Sequence, residues 1–291
     1  MPEVRHTVTD AEAGRRVKSL ALHEMGLSRG LFSSLKFSGG LTLDGEAVHA
    51  DRQVRTGQVL SARWEETGGA ALTPCPAPFS VVWEDAHYAV LDKPAPLPTL
   101  SSPRQAGPSL ESAVYARLGC PKGFVFRPVN RLDKGTSGLM AAAKDSNAQQ
   151  RLQRLLHTDL FIREYLAVCC GAPAREAGII ELPIARGNGV KRIVSPAGQR
   201  AVTHYRVERT GENVSLLRLR LETGRTHQIR VHLSALGCPV LGDYLYGESD
   251  PRLPGRFALH ACALSFVHPF TGDTVSLSSP LPEALADLMD P

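Results

Sequence analysis

The stretch RPVNRLDKGTSGLMAAAK, residues 127–144, sets an acidic side chain among basic ones in a glycine-rich turn and then runs straight into an apolar segment. Asp133 stands two residues after Arg131 and directly before Lys134. An aspartate in such a turn is most often a turn former or a helix cap, so this stretch alone leaves its role open. What the stretch does decide is architecture. A turn feeding the short apolar run GLMAAAK reads as a strand, and the same reading repeats on both sides of it.

Working outward, SVVWED and YAVLDKP precede it, and EYLAVCC, AVTHYRVERT, VSLLRLRLET and FALHACALSFV follow, all with strand character. Helices are few. Residues 146–157 carry Leu152, Leu155 and Leu156 at helical spacing behind an Asp145 cap. A second helix is expected over HQIRVHLSAL, opened by Thr226 and ended by Gly237. Mostly β structure with inserted helices is an α+β signature, and it extends over residues 79–291.

Ahead of that domain, residues 15–64 alternate helical and strand-like patterns within a small unit spanning 1–66. Gly39-Gly40 punctuates it, and Asp44-Gly45 lies between two short apolar runs, a strong hairpin signal. The following EETGGAALTPCPAP has no periodicity, and residues 67–78 read as a linker.

A second informative stretch is LETGRTHQIRVHLSALGCPVLGDYLYG, residues 221–247. On its helix Ile229, Leu233 and Leu236 make a stripe toward the core, which leaves His227, Arg230 and Ser234 pointing to a cleft or to solvent. Taken alone, this is equally a solvated basic face.

Taken in order, RLDKGTSGL, EYLAV, TGRTHQIRVHLSALGCPVLGDYLYG, RFALHA and FVHPFTG resemble the motif series of RluA-type pseudouridine synthases, over about residues 79–279. The resemblance implies a mixed, largely antiparallel sheet flanked by helices. It also implies an enzyme that isomerises selected uridines in structured RNA without cofactor or metal. Asp133 matches the family's catalytic aspartate, Tyr165 its active-site tyrosine and Arg230 the basic partner of the aspartate. Leu259 matches the apolar residue beneath the target base.

The reaction breaks the N1–C1′ bond, turns the uracil and rejoins it through C5, with no net redox change. Asp133 either attacks covalently or removes the C2′ proton, and both routes remain open. The target base has to leave its stack. Arg131 is the candidate to fill the gap, because guanidinium stacks as well as binding phosphate. Lys134, Arg225 and His227 are expected at the RNA as well. Asn130 stands where the family usually has histidine and Pro96 where it usually has glycine. The first change is expected to alter loop packing or an RNA contact.

Residues 14–64 similarly resemble an RNA-binding module of the ribosomal S-four type, in which Ser28, Arg29 and Lys36 would contact phosphates. Residues 1–66 hold nine Lys plus Arg against nine Asp plus Glu, so any basic surface there is local. The whole chain, at +4, tolerates a polyanionic partner without demanding one. Large-subunit ribosomal RNA is the expected target, with transfer RNA the alternative.

Six cysteines without a CxxC pair are expected to be reduced, and MPEVRHTVTD lacks the apolar stretch of a secretory signal. A cytoplasmic monomer is expected. Walker and G-x-G-x-x-G patterns are missing from the sequence, so nucleotide-driven chemistry lacks support. Two rivals stand beside the main reading. A metal hydrolase would use His227, His232, His260 and Asp243, but HQIRVH has H-x4-H spacing in place of H-E-x-x-H. A non-catalytic RNA-binding or ribosome-assembly factor on the same fold is kept open by Asn130.

Overall fold

A computed structural model describes residues 2–65, 72–102 and 107–289. Its N-terminal part runs β1 (Glu3–Thr7), α1 (Val17–His23), α2 (Arg29–Ser38), β2 (Leu41–Leu43), β3 (Glu46–Ala47) and β4 (Val59–Arg63). The strands form one sheet in the order β1-β4-β2-β3. Asp44 and Gly45 both take positive φ, the backbone that a tight β2–β3 turn requires. Helix α2 is closed at both ends by local chemistry. The Ser28 hydroxyl accepts from the Leu31 amide, and Gly39 takes the left-handed conformation after the last turn. These elements enclose their own core, including Leu20, Met25, Leu35 and Leu60.

The second part runs β5 (Ser80–Glu84), β6 (Tyr88–Lys93), α3 (Leu110–Arg117), β7 (Arg127–Pro128), β8 (Ser137–Ala143), α4 (Ser146–Gln153) and β9 (Phe161–Cys170). It continues through β10 (Ala177–Glu181), β11 (Ile184–Arg186), β12 (Arg192–Val194), β13 (Val202–Thr210) and β14 (Val214–Leu221). Last come α5 (Gln228–Ala235), β15 (Leu259–Val267), β16 (Thr274–Ser278) and α6 (Glu283–Ala286). Ten strands make one sheet along β10-β13-β14-β9-β15-β8-β6-β5, with β16 on β15 and β7 on β8. The β15–β8 pair is parallel and the other pairs are antiparallel, so the sheet is mixed and largely antiparallel, as expected. Strand β8 is buried at every position, which is why SGLMAAA shows no polar alternation.

Several expectations are corrected at this level. Helix α4 ends at Gln153, so Leu155 and Leu156 lie in the turn beyond it, packed against the core that holds Leu152. The Asp145 carboxylate does cap α4, accepting from the Ala148 amide. Helix α5 is capped by His227, not Thr226, with His227 at φ 59. The cause is Gln228, whose side-chain oxygen takes the Arg225 amide at 2.9 Å and the Thr223 hydroxyl at 2.7 Å and so tightens the turn ahead of the helix. Residues 67–71 of the expected linker lie outside the described residues. Further along it, Ala77 packs against the large core. All six cysteines are unpaired. Among the described residues, no helix is long and apolar enough to cross a membrane.

Candidate active site

The loop between β7 and β8 carries Asp133 and is held from two sides. The Thr99 hydroxyl donates to the Leu132 carbonyl at 2.8 Å and accepts from the Leu132 amide at 3.3 Å. The Leu97 amide donates to the Lys134 carbonyl at 2.9 Å. On the far side Gly135 lies against Phe257, where an added Cβ would stand 2.6 Å from the ring. Gly138, at φ +107, lets β8 run so close to β15 that a Cβ would sit 2.3 Å from the Ala261 carbonyl oxygen. The turn glycines are therefore packing requirements as well as turn formers.

Helix α5 brings Arg230 to this loop. Arg230 Nη1 donates to Asp133 Oδ2 at 3.0 Å, while Nε and Nη2 grip the two oxygens of Asp243 at 2.7 and 2.8 Å. Asp243 is fully buried and Arg230 is 3% exposed. The guanidinium also lies over the rings of Phe257 and Tyr246, 4.2 and 5.0 Å from their centroids. Burial works against the charged arginine, but the two carboxylates outweigh it and hold its pKa above the ordinary value. The expectation that Arg230 points away from a buried stripe is thus half right. It reaches the cleft, but from a helix buried nearly all round, and Ser234 bonds the Tyr246 carbonyl instead of facing solvent.

His227 lies beside the carboxylate, with Nε2 3.9 Å from Asp133 Oδ2 and Nδ1 2.9 Å from the Tyr246 hydroxyl. Burial, assisted by Arg230, pushes its pKa down against the pull of Asp133, so the ring is neutral at pH 7. Tyr165 comes from β9 and is 5% exposed, and burial pushes its phenol up. Leu259 opens β15 and is buried at the same cleft.

Nine of the residues singled out from the sequence line one cleft of about 520 Å³: Asn130, Arg131, Asp133, Lys134, Tyr165, Arg225, His227, Arg230 and Leu259. Asp133 is the lone carboxylate among the described lining residues, and five Lys or Arg side chains line the same space. Arg131 and Lys134 are exposed at the rim. Asn130 is buried, and its side-chain oxygen accepts from the Ala141 amide at 2.9 Å. That bond ties the loop to β8, and Asn130 also lines the cleft.

Arg29 and Lys36 on α2, and Ser28 just ahead of it, lie apart from the cleft. Ser28 is spent on the helix cap, whereas Arg29 and Lys36 are exposed. The histidines of the metal alternative are engaged separately. His232 contacts the Thr203 hydroxyl and the Leu182 carbonyl, and His260 contacts Ser137 and the Ser279 carbonyl. Sequence reasoning did not assign Asp243 to Arg230. The available signal was the charge within the apolar run IRVHL, which demands a buried counter-charge.

A family model described as RNA pseudouridylate synthase matches residues 87–235. The chain is 36% identical to the uncharacterized RNA pseudouridine synthase YjbO of Bacillus subtilis, over 91% of this chain and 95% of that protein. It is 34% identical to the ribosomal large subunit pseudouridine synthase D of Vibrio cholerae, over 98% and 94%. Among solved structures, human RNA pseudouridylate synthase domain containing 1 superposes with a TM-score of 0.58 at 27% identity, over 70% of this chain and 83% of that one. With matches of this length across the domain that builds the cleft, the chain belongs to the RNA pseudouridylate synthase family, in its RluA-type branch, and is an isomerase acting on RNA.

Proposed function

We propose that Asp133 is the carboxylate through which this enzyme turns uridine into pseudouridine, and that its substrate is large-subunit ribosomal RNA. One observation carries the first part. Among the described residues Asp133 is the single acid lining a cationic cleft of nucleoside size, with its side chain 28% exposed and one oxygen held by Arg230. Relatives from Vibrio and Xanthomonas named ribosomal large subunit pseudouridine synthase D support the second.

In this reading a uridine leaves its stack and enters the cleft, a step that costs a few kcal/mol. Leu259 lies beneath the uracil and Tyr165 beside it. With its phenol kept protonated by burial, Tyr165 acts as a flat wall and a donor, not as a phenolate base. Arg230 keeps the Asp133 carboxylate oriented for attack or for proton removal. After the N1–C1′ bond breaks, the uracil turns, C5 joins C1′, the C5 proton departs to solvent and N1 takes one up. Arg131, exposed at the rim, is placed to occupy the gap in the stack.

The N-terminal unit serves in this reading as an S-four-type RNA contact through Arg29 and Lys36. The test uses tritium release from RNA labelled at uridine C5, with pseudouridine mapping in total RNA from cells with and without the protein. Asp133→Asn is expected to abolish release while leaving the melting temperature nearly unchanged. Equal release by wild type and variant defeats the assignment of Asp133. Pseudouridines that change only in transfer RNA defeat the assignment of substrate. Arg29→Gln with Lys36→Gln is expected to weaken RNA binding and flatten its salt dependence; unchanged binding removes α2 from the RNA contact.

A further inference from the structure

The cleft has a second cationic feature that the reaction as described leaves unused. Arg163 precedes Tyr165 by two residues on β9, so the two side chains leave the same face of the strand, about 7 Å apart along it. Arg163 is 6% exposed. A guanidinium this buried is costly unless charges and acceptors meet it. Its hydrogen bonding amounts to one contact, from Nη2 to the Leu156 carbonyl at 3.1 Å. Nε is buried without a partner, and among the described residues no carboxylate pairs with it. Burial correspondingly pulls its pKa down from the usual guanidinium range.

Gly224 shows where the unused side of this guanidinium faces. A Cβ at Gly224 would stand 2.8 Å from Arg163 Nη1, and Gly224 is itself exposed. The missing side chain leaves an open path from the guanidinium into the cleft, which both residues line. Arg151 and Arg256 also have a buried, unpartnered Nε, but neither lines the cleft. At the same end His157 and Arg225 add donors, and no described carboxylate lines that end.

We infer that Arg163, acting across the bare α-carbon of Gly224, is a phosphate-binding subsite that grips the RNA backbone beside the extruded uridine. The planar fork of arginine matches two phosphate oxygens. The position lies one strand step from the ring that faces the uracil, where the adjoining backbone of an extruded nucleotide must pass. The inference rests on reading the cleft as the uridine site.

The probe is a labelled RNA dodecamer with one uridine among adenosines, together with analogues in which a single phosphate is replaced by neutral methylphosphonate. Binding is measured on an Asp133→Asn background, so turnover does not enter. With Arg163 present, one phosphate beside the uridine is expected to matter by about tenfold, as loss of a charge-assisted contact implies. Arg163→Gln should show that loss once and no further loss with that analogue. Its log–log salt dependence should flatten by about 0.7. Gly224→Ala keeps every charge but fills the path, and should reproduce the loss; it decides the matter if Arg163→Gln does not fold.

An unchanged methylphosphonate profile in Arg163→Gln, or wild-type binding by Gly224→Ala, overturns the subsite. That failure beside normal tritium release by the wild type refutes the subsite alone. The expected profile, found in a protein that turns over no RNA, supports the subsite and refutes the proposed reaction.

Discussion

Replacing Asp243 by asparagine keeps its shape and removes its charge at the one point where Arg230 is gripped by two oxygens at once. The geometry dictates how the amide must sit. Oδ1 of Asp243 accepts from the Leu245 and Tyr246 amides at 3.1 and 3.3 Å as well as from Arg230 Nη2. The asparagine oxygen is claimed there, which puts its NH2 against Arg230 Nε, where Oδ2 now lies at 2.7 Å. A strong bond becomes a donor facing a donor in a fully buried place.

Loss of a charge-assisted hydrogen bond costs about 1.5–3 kcal/mol, and breaking a buried ion pair about 3–5 kcal/mol. Asp133 still offsets part of the arginine charge, which sets the expectation at the low end, about 3 kcal/mol. In a protein of this size that lowers the melting temperature by roughly 6–12 °C. Asp133→Asn disturbs one bond at a partly exposed side chain and should cost about 1 kcal/mol. Thermal melting by circular dichroism, paired with tritium release, separates the two. Asp133→Asn should melt close to wild type and be inactive, whereas Asp243→Asn should lose stability and activity together. An Asp243→Asn protein that melts within about 2 °C of wild type refutes the claim that Asp243 anchors Arg230.

Gly138→Ala forces a Cβ against the Ala261 carbonyl at φ +107, and the backbone strain alone costs about 1–3 kcal/mol; wild-type melting of this variant contradicts the close β8–β15 approach. His227, His232 and His260 all have pKa values pushed down by burial. The stability tied to their neutral form is complete above about pH 6.5 and is lost as pH falls through their depressed folded values, so the melting temperature should drop between pH 7 and 5. A flat profile over that range counts against their burial. Lys93 is fully buried, and burial lowers its pKa to about 7 despite the opposing pull of Asp133. The unfolded chain binds the extra proton above that value, so stability should rise from pH 7 to 10 by up to about 1.4 kcal/mol per unit. Lys93→Met should abolish the rise, and an identical alkaline profile in the variant would count against the depressed value.

Local chemistry was legible where one or two residues dictate the backbone. Asp44-Gly45 demands positive φ, and Asp145 ahead of a polar helix start demands a cap, so both features follow from composition alone. The α5 cap was misread for an instructive reason: Thr226 is a good local cap, but Gln228 reaches back to the Arg225 amide and shifts the start by one residue. Strand β1 was missed because it pairs with β4 across more than fifty residues, and nothing in EVRHT announces that partner. The β11–β12 hairpin carried a usable sign in Asn188-Gly189. At the cleft, the residues singled out from the sequence were reached through the resemblance. The parts played by Asp243, Phe257 and Arg163 were not, although the first two stand in the same motifs, because they lie in contacts that the chain makes only when folded.

Those contacts bear on how an aspartate can be both held and free to react. A carboxylate whose only partner is a buried arginine would be locked in place, because leaving would strand the arginine at a cost of about 3–5 kcal/mol. Here the arginine is satisfied first by Asp243, through two bonds and full burial, and by the faces of Phe257 and Tyr246. Asp133 receives only the remaining Nη1, through a single bond of 3.0 Å at a side chain still open to the cleft. Letting go of that bond leaves Nη1 without its acceptor but keeps the charge paired with Asp243. The arrangement therefore orients the carboxylate without trapping it, and on the role proposed for Asp133 this lets the group approach a sugar or a base while the guanidinium behind it stays fixed.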